Sequence, residues 1–167
     1  MQIDKDSVFR SSALTHRLEI LAHEAIRAND PLFVEYTGCT IREYRVLRMI
    51  DEHGGIAFNE IMRITGLDRS LVSRLIRTLL ERELVYRVNS KEDARRFGLF
   101  TTDTGKTTCE QGKQLSAAAE KILFAPLQDD ELEQLNTLLD KLVLWVRAPD
   151  YQEQLQILQD ERNKTLV

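Results

Sequence analysis

Between Phe58 and Gly105 the apolar pattern runs helix, turn, helix and then two short strands, an order that few folds accommodate. Residues 56–65 carry Ile61, Met62 and Ile64 at the spacing of a short helix, and Thr65-Gly66-Leu67 follows as a turn. From Asp68 to Glu83, Leu71, Val72, Leu75, Ile76 and Leu79 form one apolar stripe. That stripe fixes the opposite face as the exposed one, and it carries Arg69, Ser70, Ser73, Arg74 and Arg77. Asp68 is suited to cap this helix, because its carboxylate can accept free backbone N–H groups of the first turn. Leu84–Val88 and Phe97–Thr101 then read as strands around the charged tip Asn89-Ser90-Lys91-Glu92-Asp93-Ala94-Arg95-Arg96. The fold class expected is mainly α with a small β component, a winged helix-turn-helix.

The flanks read as helices. Residues 6–28 form a long one, with Leu14, Leu18, Leu21 and Ala25 as its buried face and Phe9, Ile20, His16 and His23 on the other side. Asn29-Asp30-Pro31 is expected to end it, leaving residues 31–39 as a loop. Thr40–His53 reads as the next helix, with Tyr44, Leu47 and Ile50 inward and Gly54-Gly55 as its stop. Beyond the hairpin, Thr102 can cap a helix to about Phe124, striped by Leu115, Ala119 and Ile122 and closed by Pro126. Asp129 or Asp130 starts another, in which Leu132, Leu135, Leu139, Leu142 and Val146 recur. Ala148-Pro149-Asp150 breaks it, and Tyr151, Leu155 and Leu158 suggest a short extra amphipathic helix. A small winged core cannot bury both ends, so two identical chains are expected to pack them against each other. The resulting organisation is an N-terminal dimerisation helix and loop (1–39), a winged domain (40–101) and C-terminal dimerisation helices (102–167).

Charge is distributed unevenly. The chain carries −4 overall, yet residues 63–96 hold nine Lys/Arg against five Asp/Glu, a local +4 against −8 elsewhere. Salt screens the distant acidic ends within about 10 Å, so a polyanion meets the basic middle. No run of about 20 apolar residues spans a bilayer, and Met1–Asp6 lacks the apolar core of a secretory signal, so the cytoplasm is the expected compartment and no membrane is an expected partner. Two cysteines, Cys39 and Cys109, are far apart and in no metal-type spacing. His16 and His23 are seven residues apart on one helix, roughly 10 Å in rise, too far to hold one ion together. No metal and no cofactor are expected. No Gly-rich phosphate loop, Gly-x-Ser-x-Gly elbow or His-Glu-x-x-His occurs, which argues against an enzyme.

Positions 69–70, 73–74 and 77 lie one helical turn apart, giving a strip of three guanidiniums and two hydroxyls. Arginine can bond two acceptors on a guanine edge and serine can reach phosphates or bases, so the strip suits the major groove of double-stranded DNA. The ordinary reading of such a face is a solvated Arg-rich helix, and the basic hairpin beside it weighs against that. Arg95 and Arg96 near the tip suit a narrow minor groove, and Lys91 is either a generic phosphate contact or simply an exposed residue. Asp93, an anion facing phosphate, is expected to orient a neighbouring arginine instead. Cys39, close to the start of a helix, is a candidate redox sensor, since a helix N-terminus can lower a thiol pKa. Cys109 reads as a packing residue and Trp145, beside the leucine stripe, as core or interface.

The chain resembles the MarR family of bacterial transcription regulators. The resemblance rests on Gly66-Leu67-Asp68-Arg69-Ser70-Leu71-Val72-Ser73-Arg74-Leu75-Ile76, on Leu80-Glu81-Arg82-Glu83-Leu84-Val85-Tyr86-Arg87, and on Asp93-Ala94-Arg95 and Thr102-Asp103-Thr104-Gly105. Two positions depart from the pattern: Glu83 stands where the family usually has glycine, and Thr101 where it usually has an apolar residue. The resemblance implies a homodimer that binds a near-palindromic operator, represses genes and is released by a small effector, often an aromatic or phenolic acid. It places such an effector between the dimerisation helices and the winged domain, where His23, Tyr36 and Arg45 are the candidate polar lining, Arg45 as a carboxylate partner. Two other readings are a winged module used for protein–protein contact and a regulator that senses oxidants through Cys39.

Overall fold

A computed structural model describes residues 12–89 and 97–165. The chain divides into two compact units, one through Glu120 and one from Lys121. In the first unit, helix α1 (Leu14–Thr37) leads into α2 (Ile41–Glu52), α3 (Phe58–Thr65) and α4 (Arg69–Glu81). Strands β1 (Val85–Asn89) and β2 (Phe97–Thr101) form an antiparallel pair, with Arg87 opposite Leu99, and α5 (Asp103–Leu123) follows. The second unit consists chiefly of α6 (Asp129–Arg147) and α7 (Pro149–Thr165). The expected helix start at residues 6–11 lies outside the described residues.

The winged core is built on α2 and α4, which pack directly against each other. Val46, Leu47 and Ile50 of α2 meet Val72, Leu75, Ile76 and Leu79 of α4, with Ile61, Leu84, Val85 and Leu99 completing a dry centre. The stripe read from the sequence is therefore the buried side of α4. Thr40 opens α2 through a capping box, accepting the Glu43 N–H at 3.3 Å while the Glu43 carboxylate accepts the Thr40 N–H at 2.8 Å. The first half of α5 belongs to the same core, with Thr108, Cys109 and Gly112 buried.

Four expectations change. The loop expected over residues 31–39 is helical to Thr37, and Pro31 sits inside α1. Its missing N–H costs one bond, while Phe33 and Thr37 are buried and the helix gains their packing. Asp30, expected to break the helix, instead accepts the Ile41 N–H at 2.8 Å and so helps to start α2. Ile56 is not helical: it pairs with Leu99 of β2, and the helix begins at Phe58. Pro149 starts α7 rather than only ending α6, because its fixed φ suits a first helical position, and α7 extends for 17 residues. On α1, Leu14, Leu18 and Leu21 of the apolar face are all exposed in the single chain.

The two departures from the family pattern have local explanations. Glu83 takes φ 56°, the left-handed conformation that a glycine would adopt. The N–H of Glu83 bonds the Leu80 carbonyl and that of Leu84 bonds the Leu79 carbonyl, both at 3.0 Å, closing α4 with a Schellman pattern. Thr101 donates to Asp51 Oδ1 at 2.7 Å, so a polar residue at the end of β2 fastens the wing to α2.

Candidate nucleic-acid interface

Presentation of α4 begins in the turn before it. Gly66 caps α3 with φ 66° and donates to the Met62 carbonyl, and Thr65 Oγ1 donates to Ile61 O and accepts the Leu67 N–H. Asp68 then caps α4 as expected, accepting the Leu71 N–H at 2.9 Å and the Ser70 hydroxyl proton. These bonds, the one from Ser70 foremost, hold the Asp68 carboxyl below its ordinary pKa. Capped at its start and closed at Glu83, α4 offers a fixed outer face.

Arg69, Ser70, Ser73, Arg74 and Arg77 are all exposed on that face, as the apolar stripe requires. Arg69 lies over the Phe58 ring at 5.3 Å, and this cation–π contact directs its guanidinium toward α3. Arg77 approaches Glu81 at 3.8 Å, an exposed i,i+4 pair worth only about 0.3–0.5 kcal/mol, so its charge remains available. Arg74 has no ion-pair partner among the described residues. Lys91, Asp93, Arg95 and Arg96 lie outside the described residues.

Beside the strip runs an open groove of about 840 Å³, lined by Asn59, Arg69, Ser73, Arg77 and Arg87 with Phe58 and Phe97 among its walls. Arg87 of β1 stands over Phe97 of β2 at 5.3 Å. Sequence reasoning missed Arg87 and Asn59. The alternation of β1 put Arg87 on the same face as Leu99, and the signal was there to be used. Asn59 carries no pattern signal, because only the tertiary approach of α3 to α4 brings it alongside. Three guanidiniums, a hydroxyl and an amide around one concavity form a surface for polyanions.

The effector lining and the thiol fare differently. His23, Tyr36 and Arg45 are each exposed. His23 and Tyr36 lie on one unbroken helix, 13 residues and roughly 20 Å of rise apart, so the three do not line one small-molecule site within the chain. The expected floor depended on a loop after residue 31 that is in fact helical. Cys39 is fully buried, and burial pushes its thiol pKa up, overturning the expectation of a lowered value. It directly precedes the N-cap, but its desolvation outweighs the nearby Arg82 guanidinium. Cys109 is buried as expected and is pushed up to about 12 by desolvation. Trp145 is partly exposed and packs edge-on against Tyr151 at 5.9 Å. Among the described residues no cluster of His, Cys, Asp or Glu is arranged to hold a metal, and no helix is long and apolar enough to cross a membrane.

Two antiparallel strands behind a capped, outward-facing helix, with the turn and shorter helix that precede it, define a winged helix-turn-helix protein. A family model described as "MarR family" matches residues 37–96, the segment from α2 through β1 that stops just short of β2. The HTH-type transcriptional regulator MgrA of Staphylococcus aureus is 27% identical over 116 residues, 69% of this chain and 76% of that protein. The crystal structure of the transcriptional regulator SlyA superposes with a TM-score of 0.72 at 20% identity, covering 78% of this chain and 92% of that one. The S. aureus MepR–DNA complex gives 0.70 at 23%, covering 80% and 98%. Over its winged segment the chain is similar to proteins of the MarR family.

Proposed function

We propose that this protein binds double-stranded DNA in a sequence-specific manner, as a homodimer, and represses transcription until a small molecule releases it. The observation that carries the reading is the outer face of α4: Arg69, Ser73, Arg74 and Arg77 exposed together on a helix whose other side is buried. Such a helix fits the major groove with its side chains at base edges, while Arg87 reaches phosphates of the flanking backbone. MepR, a relative in fold, was crystallised with DNA. The wing residues Lys91, Arg95 and Arg96 are proposed to contact the duplex beside the helix, and Asp93 to orient one of those arginines.

Dimerisation is supported by apolar surface that a single chain leaves in water. On α1 this is Leu14, Leu18 and Leu21; on α6 it is Leu138, Leu142, Val143 and Leu144; on α7 it is Leu155, Ile157 and Leu158. Each fully buried Leu or Ile side chain gains about 1.5–3 kcal/mol, and a second copy supplies the cover. A two-fold dimer also sets two α4 helices against two half-sites about one DNA turn apart. Release by an aromatic or phenolic acid is the effector reading taken from the family; His23, Tyr36 and Arg45 do not supply its site within one chain.

Selection of bound duplexes from a random pool tests the reading, followed by titration of the complex with aromatic acids. A near-palindromic motif shared by the selected duplexes, bound by two chains, is the result expected. Recovery of unrelated sequences would exclude specific recognition, and partner binding insensitive to Arg69, Arg74 and Arg77 would favour a protein–protein module instead. An affinity unchanged by every acid would remove that class of effector.

A further inference from the structure

Arg82, immediately after α4, is not part of the strip on that helix's outer face. Its Nη1 donates to Cys39 Sγ at 3.5 Å and lies 3.8 Å from Glu43 Oε2. The same carboxylate oxygen accepts the Thr40 N–H, half of the capping box that opens α2. Nη2 fills the space that a side chain on Gly38 would need, and Gly38 is the left-handed cap that ends α1. One guanidinium therefore meets the end of α1, the start of α2 and the end of α4.

Two features separate this arrangement from an ordinary surface arginine. The side chains of Arg82 and Glu43 are 34% and 15% exposed, whereas both partners in Arg48–Glu52 and in Arg77–Glu81 are at least half exposed. Solvent and salt screen the partly buried pair less. In addition, α4 already ends through its own backbone at Glu83 and Leu84, so the side chain of Arg82 is not needed to stop the helix.

Resting on the DNA-binding reading above, we propose that Arg82 is a positioning residue for α4: through Glu43 and the Gly38–Cys39 corner it ties the DNA-reading helix to the end of α1. A displacement at the C-terminal end of α1 is then passed to α4 through this tie as well as through the core. Arg82 itself touches no DNA. Removing the tie leaves the exposed arginines in place but lets α4 take a wider range of positions, so affinity falls without the loss of a phosphate contact.

The test compares the parent with Arg82→Met, Arg82→Lys, Glu43→Gln and the Arg82→Met/Glu43→Gln pair, each as the full chain. Affinity for a duplex selected from a random pool is measured over a salt series, together with thermal melting and amide hydrogen exchange. Arg82→Met is expected to weaken binding roughly two- to thirtyfold with an unchanged salt slope. The paired variant should be no weaker than Arg82→Met alone, because both changes cut one link. Exchange should quicken together in residues 38–43 and 79–84. If Arg82→Met does not fold, Arg82→Lys and Glu43→Gln take its place in the same measurements, with the same outcomes deciding. A salt slope lower by about one would make Arg82 a phosphate contact and overturn the proposal. Binding equal to the parent, or losses that simply add, would also overturn it. If the parent binds no duplex, the DNA reading fails by itself; exchange then decides the tie, and quickening confined to residues 79–84 rejects it.

Discussion

Of the two departures from the MarR pattern, Glu83 is the one held in a left-handed conformation. Glu83 holds φ 56° because the carbonyls of Leu79 and Leu80 are satisfied there and Leu84 must turn inward. A non-glycine residue in that conformation costs about 1–3 kcal/mol, and glycine returns part of this as unfolded-chain entropy. Glu83→Gly should therefore raise stability by roughly 0.5–1 kcal/mol, measured by urea unfolding at fixed protein concentration. A lower midpoint would mean that the glutamate side chain makes a compensating contact. The thiols give a second expectation. Burial raises the pKa of Cys39 and Cys109, so both stay protonated and covered near neutral pH. For Cys109 the folded value of about 12 lies above the ordinary 9.0, so folding holds a proton that the unfolded chain releases. Its contribution to stability is complete below pH 9 and declines as pH rises toward 12. Native protein at pH 8 should react with a thiol reagent only at the rate of opening, and Cys39→Ser should leave any response to oxidants unchanged; rapid labelling would revive the redox reading.

At the scale of elements, α4 was legible because its two faces obey one period: the buried stripe and the exposed strip were both readable, as was the Asp68 cap. Thr102 capping α5 was readable for the same local reason, its hydroxyl accepting the Gly105 N–H at 3.0 Å. What escaped was set by distant parts of the chain. Pro31 reads locally as a stop, yet α1 continues through it because Phe33 and Thr37 bury against residues that no local window contains. Ile56 has a helical neighbourhood and leaves it to pair with Leu99, 43 residues on. The groove beside α4 needed α3 and the wing in place, so Asn59 and Arg87 were missed. Arg87→Ala should weaken DNA binding evenly across sequences and lower the salt slope by about one; an unchanged slope would remove it from the interface. The Asp68 cap carries a pH signature. Since its folded pKa is lowered, its contribution is present above the ordinary 3.8 and is lost as pH falls through the lowered value. Asp68→Asn, an equally good cap that does not titrate, should blunt that part of the acid sensitivity in unfolding midpoints.

For the whole molecule, the decisive feature is apolar surface that one chain cannot cover. The stripes on α1 and α6 were read from the sequence as apolar faces to be packed between two chains, and the single chain leaves much of both in water. Amphipathicity is the same for an internal and an external neighbour, so the expectation of a second copy came from the small size of the winged core and not from the stripes themselves. If a second copy is the cover, Leu142→Asp should convert dimers to monomers in sedimentation at micromolar concentration, and operator affinity should fall with it. A dimer unaffected by that change would place the interface elsewhere. DNA recognition itself rests on the outer face of α4. Its most direct test is the affinity of the parent and of Arg74→Ala for a selected operator and for every single-base variant of it. The parent should lose about 1–3 kcal/mol at each contacted base pair, and Arg74→Ala should bind the operator that much more weakly while ceasing to discriminate at one position in each half-site. Equal affinity and an unchanged base profile in the variant would show that this arginine, and the face that carries it, does not read DNA.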